Sequence, residues 1–179
     1  MVDPTNSLSL AAQLGKYDES INSLPPIDSW TPELSGSMDM QIKKDGGWWH
    51  EGELIKRNKL TRLFSSILKK EGYDYFLVTP IEKWQIQVED MPFMVQLADI
   101  KVKAKQSIVT LMTNVGDVVE LNSGNTFYLD DTGLPFIEVR KGLMARLHRN
   151  VYYQLADLAT ENAGGQFVIS SGGENHILG

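Results

Sequence analysis

Cysteine is absent from this chain of 179 residues. The absence excludes disulfides, thiolate zinc sites, iron–sulfur clusters and cysteine nucleophiles, and it is compatible with a reducing compartment. The apolar segment from Leu8 to Leu14 has neither a preceding basic residue nor the long apolar core of a secretory signal. We therefore expect a cytoplasmic protein.

Long apolar runs and a surplus of positive charge are also lacking. No stretch reaches the roughly 18 apolar residues of a membrane span, so we expect no membrane partner. The chain has 17 Lys and Arg against 23 Asp and Glu, a net charge of −6. Nucleic-acid binding normally requires a basic surplus that neutralises phosphates, so we expect no nucleic-acid partner either.

The basic residues that are present lie in two clusters. The first cluster holds Lys56, Arg57, Lys59, Arg62, Lys69 and Lys70, and the second holds Arg140, Lys141, Arg146 and Arg149. Such clusters form the solvated faces of helices, or they form docking faces for an acidic partner or an anionic ligand. The sequence leaves both interpretations open.

Residues 1–36 are predicted to form an N-terminal arm with a short helix that ends near Gly15. Pro25, Pro26 and Pro32 interrupt regular structure after that helix. Trp30 lies among these prolines, and burial of its ring is expected to hold the arm against the domain.

Two amphipathic segments predict long helices, one from about Asn58 to Gly72 and one from about Leu143 to Glu161. Gly/Asn/Asp turns separate short apolar segments that predict antiparallel strands. These predicted strands include residues 38–42, 75–79, 84–88, 94–102, 107–113, 117–121, 126–130, 135–140 and 166–170. The tail, residues 171–179, is predicted to be turn-like.

The two predicted helices align at a spacing of 84 residues, with Leu60 on Met144 and Leu63 on Leu147. Their flanking segments also correspond, which indicates a repeated strand–turn–strand–helix–strand unit. We therefore predict an α+β fold in which two long helices pack on a mainly antiparallel sheet. The predicted units cover residues 37–105 and 106–179 and pack intimately, in the manner of one domain.

Five short segments, taken together and in order, resemble a family. They are residues 55–64, 77–83, 88–93, 113–117 and 139–153. The set resembles a bacterial family known only as a domain of unknown function and found mainly in proteobacteria, over roughly residues 28–179. The resemblance implies an α+β fold with repeated motifs and a signalling or regulatory role. It implies no catalytic residues.

Aromatic residues provide the first candidate surface for a ligand or a partner. Trp48 and Trp49 are adjacent in a predicted strand, so their side chains must point to opposite faces. One ring must therefore be covered by the arm, by a partner or by a ligand. The residues assigned to this surface are Trp48, Trp49, His50, Trp84, Arg57 and Arg62.

Acidic residues provide the second candidate, an ion or polar site formed by Glu82, Lys83, Glu89 and Asp117. Adjacent Asp90 belongs to the same acidic cluster. Convergent carboxylates bind hard cations or transfer protons, but carboxylates beside Pro and Gly also commonly bond turn amides. The three histidines lack metal-ligand spacing, so we assign no metal, cofactor or catalytic residue.

These observations favour a non-enzymatic binding or regulatory module that recognises a protein partner or a small ligand. Two alternatives stay open. One is a metal- or ligand-dependent enzyme that uses the acidic cluster, and the other is a structural homodimer.

Overall fold

A computed structural model describes residues 24–179. Strands account for 49% of the structure and helical residues for 13%. The chain divides into two compact units, Met1–Asp90 and Met91–Gly179. The predicted division between residues 105 and 106 falls in the turn of a hairpin of the second unit.

The first unit is one six-stranded sheet with a short helix. A 3-10 turn at Ile27–Ser29 precedes these elements: β1 Gly36–Ile42, β2 Trp48–His50, β3 Glu53–Leu54, α1 Asn58–Ser66, β4 Leu68–Glu71, β5 Asp74–Val78 and β6 Lys83–Val88. The strand order is β3-β2-β1-β6-β5-β4. All neighbours pair antiparallel except β1 and β6, which run parallel.

The core of the first unit includes one face of β1 and β2. Met38, Met40 and Ile42 alternate with polar residues along β1, and all three are buried. Helix α1 packs on this face through Phe64, which is also buried. The opposite face of β1 carries Ser37, Asp39 and Gln41.

The second unit has a six-stranded sheet, a short helix and a three-stranded sheet. Its elements are β7 Phe93–Lys103, β8 Gln106–Thr113, β9 Val118–Glu120, β10 Phe127–Leu129, β11 Pro135–Arg140, β12 Leu143–Leu147, α2 Arg149–Ala156, β13 Thr160–Glu161, β14 Phe167–Ser171 and β15 Glu174–Ile177. The larger sheet has the order β10-β11-β12-β7-β8-β9, with β12 parallel to β7. The smaller sheet has the order β13-β14-β15.

A buried serine joins the two sheets of the second unit. Ser171 at the end of β14 is fully buried, and its hydroxyl donates to the carbonyl of Leu121 at 2.7 Å. The same Oγ accepts from the N–H of Val109 in β8 at 2.9 Å. Nearby, buried His176 lies 3.0 Å from the hydroxyl of Thr126 through Nδ1. These bonds satisfy polar groups that the docked sheets would otherwise leave without water.

The predicted α+β class, with a sheet packed by two long helices, is wrong: the described chain is mostly β, and its helices α1 and α2 are short. The segment predicted as the second helix begins with strand β12, in which Leu143, Ala145 and Leu147 are buried in alternation. Residues 143–147 are extended because β12 pairs with β7 and β11. The spacing of apolar residues within one segment does not show such long-range pairing. His148 then caps α2 by accepting from the N–H of Asn150.

The first predicted helix is also too long. Helix α1 ends at Ser66, and β4 begins at Leu68, which pairs with Leu77 of β5. Gly72 has a positive φ of 61° and forms the turn of the β4–β5 hairpin instead of stopping the helix.

The predicted strand–turn–strand–helix–strand repeat is not supported. Helix α1 lies between the third and fourth strands of its sheet, whereas α2 follows the sixth strand of the other sheet. The two helices are therefore not equivalent. What the two sheets share is their connectivity, since each consists of two three-stranded meanders joined by a parallel pair of first and last strands.

The predicted tail and arm have separate outcomes. Residues 174–177 form strand β15 in place of a turn-like tail. The predicted short helix of the arm lies outside the described residues. Trp30 is half-buried.

Ser171→Ala tests the seam between the two sheets of the second unit. The substitution leaves the Val109 N–H and the Leu121 carbonyl without their partner in a buried place. We expect the free energy of unfolding to fall by about 1–3 kcal/mol, measured by urea denaturation. Ser170→Ala is the matched control, because Ser170 is exposed and bonds only the side chain of Asn175. Equal losses in both variants would contradict a structural role for the seam.

Candidate binding surfaces

Strand β2 places its two tryptophans on opposite faces of the first sheet. Trp48 pairs with Ile42, is 1% exposed and stacks on Phe64 with 6.4 Å between ring centroids. Trp49 pairs with Gln41 and Leu54 on the other face and is half-buried. Trp48 is therefore a core residue of the first unit, and Trp49 belongs to the outer face.

The other aromatic candidates lie on the core side. Trp84 in β6 pairs with Gly36, where a Cβ would lie only 3.3 Å from the indole ring. His50 is two residues from Trp48 and shares its face. The indole N–H groups of Trp48, Trp49 and Trp84 are enclosed without an acceptor in the described part of the chain. These rings are held by packing, and three of the four aromatic candidates do not form an open pocket.

A shallow depression surrounds Trp49 on the outer face of the first sheet. It has a volume of about 250 Å³ and is lined by Asp39, Gln41, Lys43, Trp49 and Gly52. This depression is the part of the predicted aromatic surface that the structure leaves open.

The acidic candidates of the first unit do not converge. Glu82 and Lys83 stand at the start of β6, and Glu89 follows its end, so about 20 Å of strand separates them. Asp117 belongs to the second unit. Within residues 24–179, no three His, Asp or Glu side chains come together as a set that could hold a metal ion.

Each acidic candidate is engaged in local structure. Glu89 accepts from the Lys43 ammonium at 2.8 Å and from the Lys44 N–H at 3.0 Å, and the bond from Lys43 holds the pKa of Glu89 below its ordinary value. Glu82 donates its N–H to the hydroxyl of Thr79 in a turn. These carboxylate residues fix turns and strand ends.

Two further candidates are also held by ion pairs. Lys83 forms a salt bridge with Glu71 and lies 4.4 Å from the centre of the Phe76 ring. Asp117 accepts from the Arg140 guanidinium at 3.0 Å, and that guanidinium lies 5.0 Å from the Phe93 ring.

The turn between β10 and β11 contains another engaged carboxylate. Asp130 accepts from the Thr132 hydroxyl at 2.6 Å, the Leu134 N–H at 3.0 Å and the Arg146 guanidinium at 2.6 Å. The bond from the Thr132 hydroxyl leads a set of donors that holds the pKa of Asp130 well below its usual range.

The two basic clusters differ in the structure. In the second cluster, Arg140 and Arg146 are paired with carboxylates and partly buried. In the first, exposed basic residues surround the start of α1: Lys56, Arg57, Lys59 and Arg62. The predicted surface residues Arg57 and Arg62 therefore lie at an open basic surface of the first unit.

An apolar row on the outer face of the second unit was missed by sequence reasoning. Leu97 of β7 pairs with Met112 of β8, which pairs with Val118 of β9. Their side chains are 62%, 40% and 58% exposed, respectively. Successive residues of β8 point to opposite faces of the sheet, and apolar residues occur on both faces, as Leu111 and Met112 show. That pattern was the available signal that the outer face of β8 is also apolar.

A second aromatic contact lies on the same sheet. Tyr128 of β10 pairs with Phe136 of β11, and their rings stack with centroids 5.6 Å apart. Phe136 in turn pairs with Arg146 of β12. The outer face of this sheet thus combines apolar and aromatic side chains with a guanidinium that is already paired.

These features define a class of mostly-β protein with two six-stranded sheets of the same connectivity and with open surfaces on their outer sides. Two family models match the chain, the N-terminal domain of DUF1285 over residues 25–91 and its C-terminal domain over residues 92–178. The chain belongs to the DUF1285 family, described as a protein family of unknown function. This membership confirms the resemblance to a family of unknown function seen in the sequence.

Two crystal structures of family members resemble this chain. A DUF1285 family protein from Silicibacter pomeroyi DSS-3 is 35% identical, with a TM-score of 0.80 over 94% of this chain and 93% of that one. Another from Shewanella baltica OS155 is 28% identical, with a TM-score of 0.54 over 67% of this chain and 91% of that one. No curated protein matches the chain. Neither α1 nor α2 has the length and apolar content that a membrane crossing requires.

Trp48→Ala and Trp49→Ala together test the assignment of the two faces. We expect Trp48→Ala to lower the free energy of unfolding by about 3–5 kcal/mol, because it empties a core position against Phe64. Trp49→Ala should cost about 1 kcal/mol, since that ring is half-buried. Urea denaturation of both variants measures the difference. A larger loss in Trp49→Ala would reverse the assignment.

Asp130→Asn tests the charge at the β10–β11 turn. A carboxylate whose pKa is lowered by folding stabilises the protein above its unfolded pKa of about 3.9, and this contribution disappears as the pH falls below that value. We therefore expect the variant to be less stable at neutral pH and to lose less stability between about pH 4 and pH 2. Thermal unfolding across that range measures both effects. Asp131→Asn, at an exposed neighbour, is the control for loss of one negative charge, and a wild-type pH dependence in Asp130→Asn would contradict the assignment.

Proposed function

We propose that this protein is a non-enzymatic binding module that receives a protein partner on the outer face of β7, β8 and β9. The observation that carries the proposal is the exposed row of Leu97, Met112 and Val118 across three paired strands. We further propose a regulatory role, since a module that acts through binding alone changes the state of its partner. A cytoplasmic location is part of the proposal and agrees with the absence of cysteine.

The apolar row is unusual for the water-facing side of an antiparallel sheet. Residues on the water-facing side are normally polar, while the alternate residues on the buried side are apolar. A single apolar side chain on the water-facing side is then surrounded by polar ones. Here three apolar side chains occupy directly opposed positions, where Cβ atoms lie about 5 Å apart. They form one continuous strip, and covering it would contribute on the order of 1 kcal/mol per side chain.

Polar residues border the strip on the same face. Asp99 pairs with Thr110, which pairs with Glu120, one step along the strands from the apolar row. An apolar centre beside a polar rim is the usual arrangement of a protein–protein interface. Asp99 is paired with Lys101 at 2.7 Å in this rim, so the charge of Glu120 favours a partner that presents an apolar strip bordered by a basic residue.

A triple variant, Leu97→Ser with Met112→Thr and Val118→Thr, tests this face. These positions are exposed, so we expect each substitution to change the free energy of unfolding by about 0.5 kcal/mol or less. The melting temperature should therefore change little. Proteins crosslinked to the wild type in cell extract should be absent from the triple variant. The matched control replaces three exposed apolar residues elsewhere in the second unit: Leu134→Ser, Tyr153→Ser and Leu158→Ser.

The outcomes separate clearly. Loss of crosslinked partners in the triple variant alone supports the proposal. The same partners in both variants, or none with the wild type, would contradict it, as would a triple variant that unfolds. Sedimentation of the purified protein at several concentrations shows whether the partner is a second copy. In that case the triple variant should sediment as the monomer.

A further inference from the structure

Strand β7 extends beyond the strand that flanks it on one side. It runs from Phe93 to Lys103, but β12 pairs only with residues 93–95. The side-chain amide of Gln154 in α2 then donates to the carbonyl of Ala98 at 3.1 Å. Past this bond, no strand within residues 24–179 pairs with that side of β7. We call residues 98–103 on this side the free edge of β7.

The backbone groups of Ile100 and Val102 point outward from the free edge. Opposed residues of an antiparallel pair either bond each other or both direct their N–H and C=O away from the pair. Val109 lies opposite Ile100, and its N–H and C=O are both bonded on the far side of β8. Ser107 lies opposite Val102, and its carbonyl accepts from Gly172 on that far side. Within the described residues, the outward N–H and C=O of Ile100 and Val102 have no partner.

The charges along the free edge are of both signs. A row of unpaired N–H and C=O groups is a template for another strand, and proteins commonly protect such an edge with proline or with lysines. Residues 98–103 contain no proline. Lys101 is accompanied on its face by Asp99, whose carboxylate lies 2.7 Å from the Lys101 ammonium. An edge with alternating signs is able to complement a second copy of itself instead of repelling it.

We propose that β7 of a second copy of this chain pairs antiparallel with the free edge, centred on Ile100. In this register Ile100 lies opposite Ile100 of the second copy, and Ala98 lies opposite its Val102. The outward backbone groups of both strands are then satisfied, since the Ala98 carbonyl has a second lone pair beside its bond from Gln154. The same patch of each copy contacts the other, so the contact closes as a dimer.

Charge complementarity selects this register over its neighbours. Centred on Ile100, the pairing places Asp99 opposite Lys101 of the second copy, and Lys101 opposite its Asp99. Displacing the second strand by one step in either direction opposes Asp99 with Asp99 or Lys101 with Lys101. Directly opposed unlike charges stabilise a strand pair, whereas like charges destabilise it. The ion pair within each chain is exposed and contributes little, so sharing it with the second copy costs little.

The other face of the free edge is apolar. Ala98, Ile100 and Val102 alternate with the charged residues, and Val102 is 76% exposed. Pairing with a second copy shields these side chains from water, which adds to the backbone bonds. The contact is small, so we expect a weak dimer. It uses the edge of β7 and not the exposed side chains of the proposed partner face, so the two proposals rest on different observations.

Two charge variants, mixed and separate, test the pairing by sedimentation equilibrium at low ionic strength. Asp99→Lys and Lys101→Asp each oppose like charges in their own dimers, so each should raise the dissociation constant of the dimer at least about tenfold. An equimolar mixture should recover dimers of wild-type affinity, because every introduced charge then faces an opposite one. Each substitution changes the net charge of −6 by two units, so both variants stay negative and have no general attraction.

Val102→Pro tests the backbone bonds directly. The substitution removes an N–H that points outward and has no partner within the described chain, and proline is tolerated on an edge strand at such a position. We expect a monomer whose melting temperature changes little. Asp131→Lys, at an exposed turn of the same unit, is the control for the charge change of Asp99→Lys and should retain the wild-type dimer.

Several results would overturn the proposal. A wild type that stays monomeric up to about 1 mM has no such contact. Charge variants that dimerise as the wild type does, or a mixture that associates no better than its components, would show that Asp99 and Lys101 do not face each other between copies. A dimer that is lost in the triple variant of the outer face but kept in both charge variants would place the contact on that face instead.

Discussion

The parallel pairing of first and last strands is the contact on which each sheet depends. In the first unit, β1 pairs with β6 through Gly36 with Trp84 and Ile42 with Val88. In the second, β12 pairs with β7 through Ala145 with Phe93 and Leu147 with Val95. Each pairing joins two antiparallel meanders, which would otherwise be separate three-stranded pieces with more unpaired edges. About fifty residues of chain separate the two strands of each parallel pair, so forming either contact carries a large loop-closure entropy.

Within each six-stranded sheet, strand alternation separates core residues from surface residues. Strand alternation sends Met40, Ile42 and Trp48 to the core face of the first sheet and leaves Trp49 outside. The second sheet buries Val109 and Leu111 in the same way, yet its outer side keeps Met112 in an apolar row. The outer face of β1 and β2 is therefore polar around one tryptophan, whereas the outer face of β7, β8 and β9 is partly apolar. Similar connectivity thus supports two chemically different surfaces.

Local patterns in the sequence were sufficient for most strands and for the opposition of Trp48 and Trp49, because alternation is a property of a few adjacent residues. They failed where distant pairing overrides a helical pattern. Leu68 and Leu143 both fit an amphipathic helix, but each lies in a strand because a partner strand is available. Distance along the sequence is a poor guide for a related reason: Glu82 and Glu89 lie close in sequence, but an extended strand holds them far apart. The apolar row could not be predicted from the sequence, because it depends on the pairing register of three strands and no single segment contains that register.

Charge clustering in a sequence does not by itself define a charged surface. The two basic clusters look alike along the chain, but Asp117 and Asp130 neutralise arginines of the second cluster within partly buried ion pairs. Arg57 and Arg62 of the first cluster lie exposed beside a helix start that adds to their charge. Partly buried pairs are also screened less by salt than exposed charges, so ionic strength should affect the exposed arginines of the first cluster more than the paired arginines of the second.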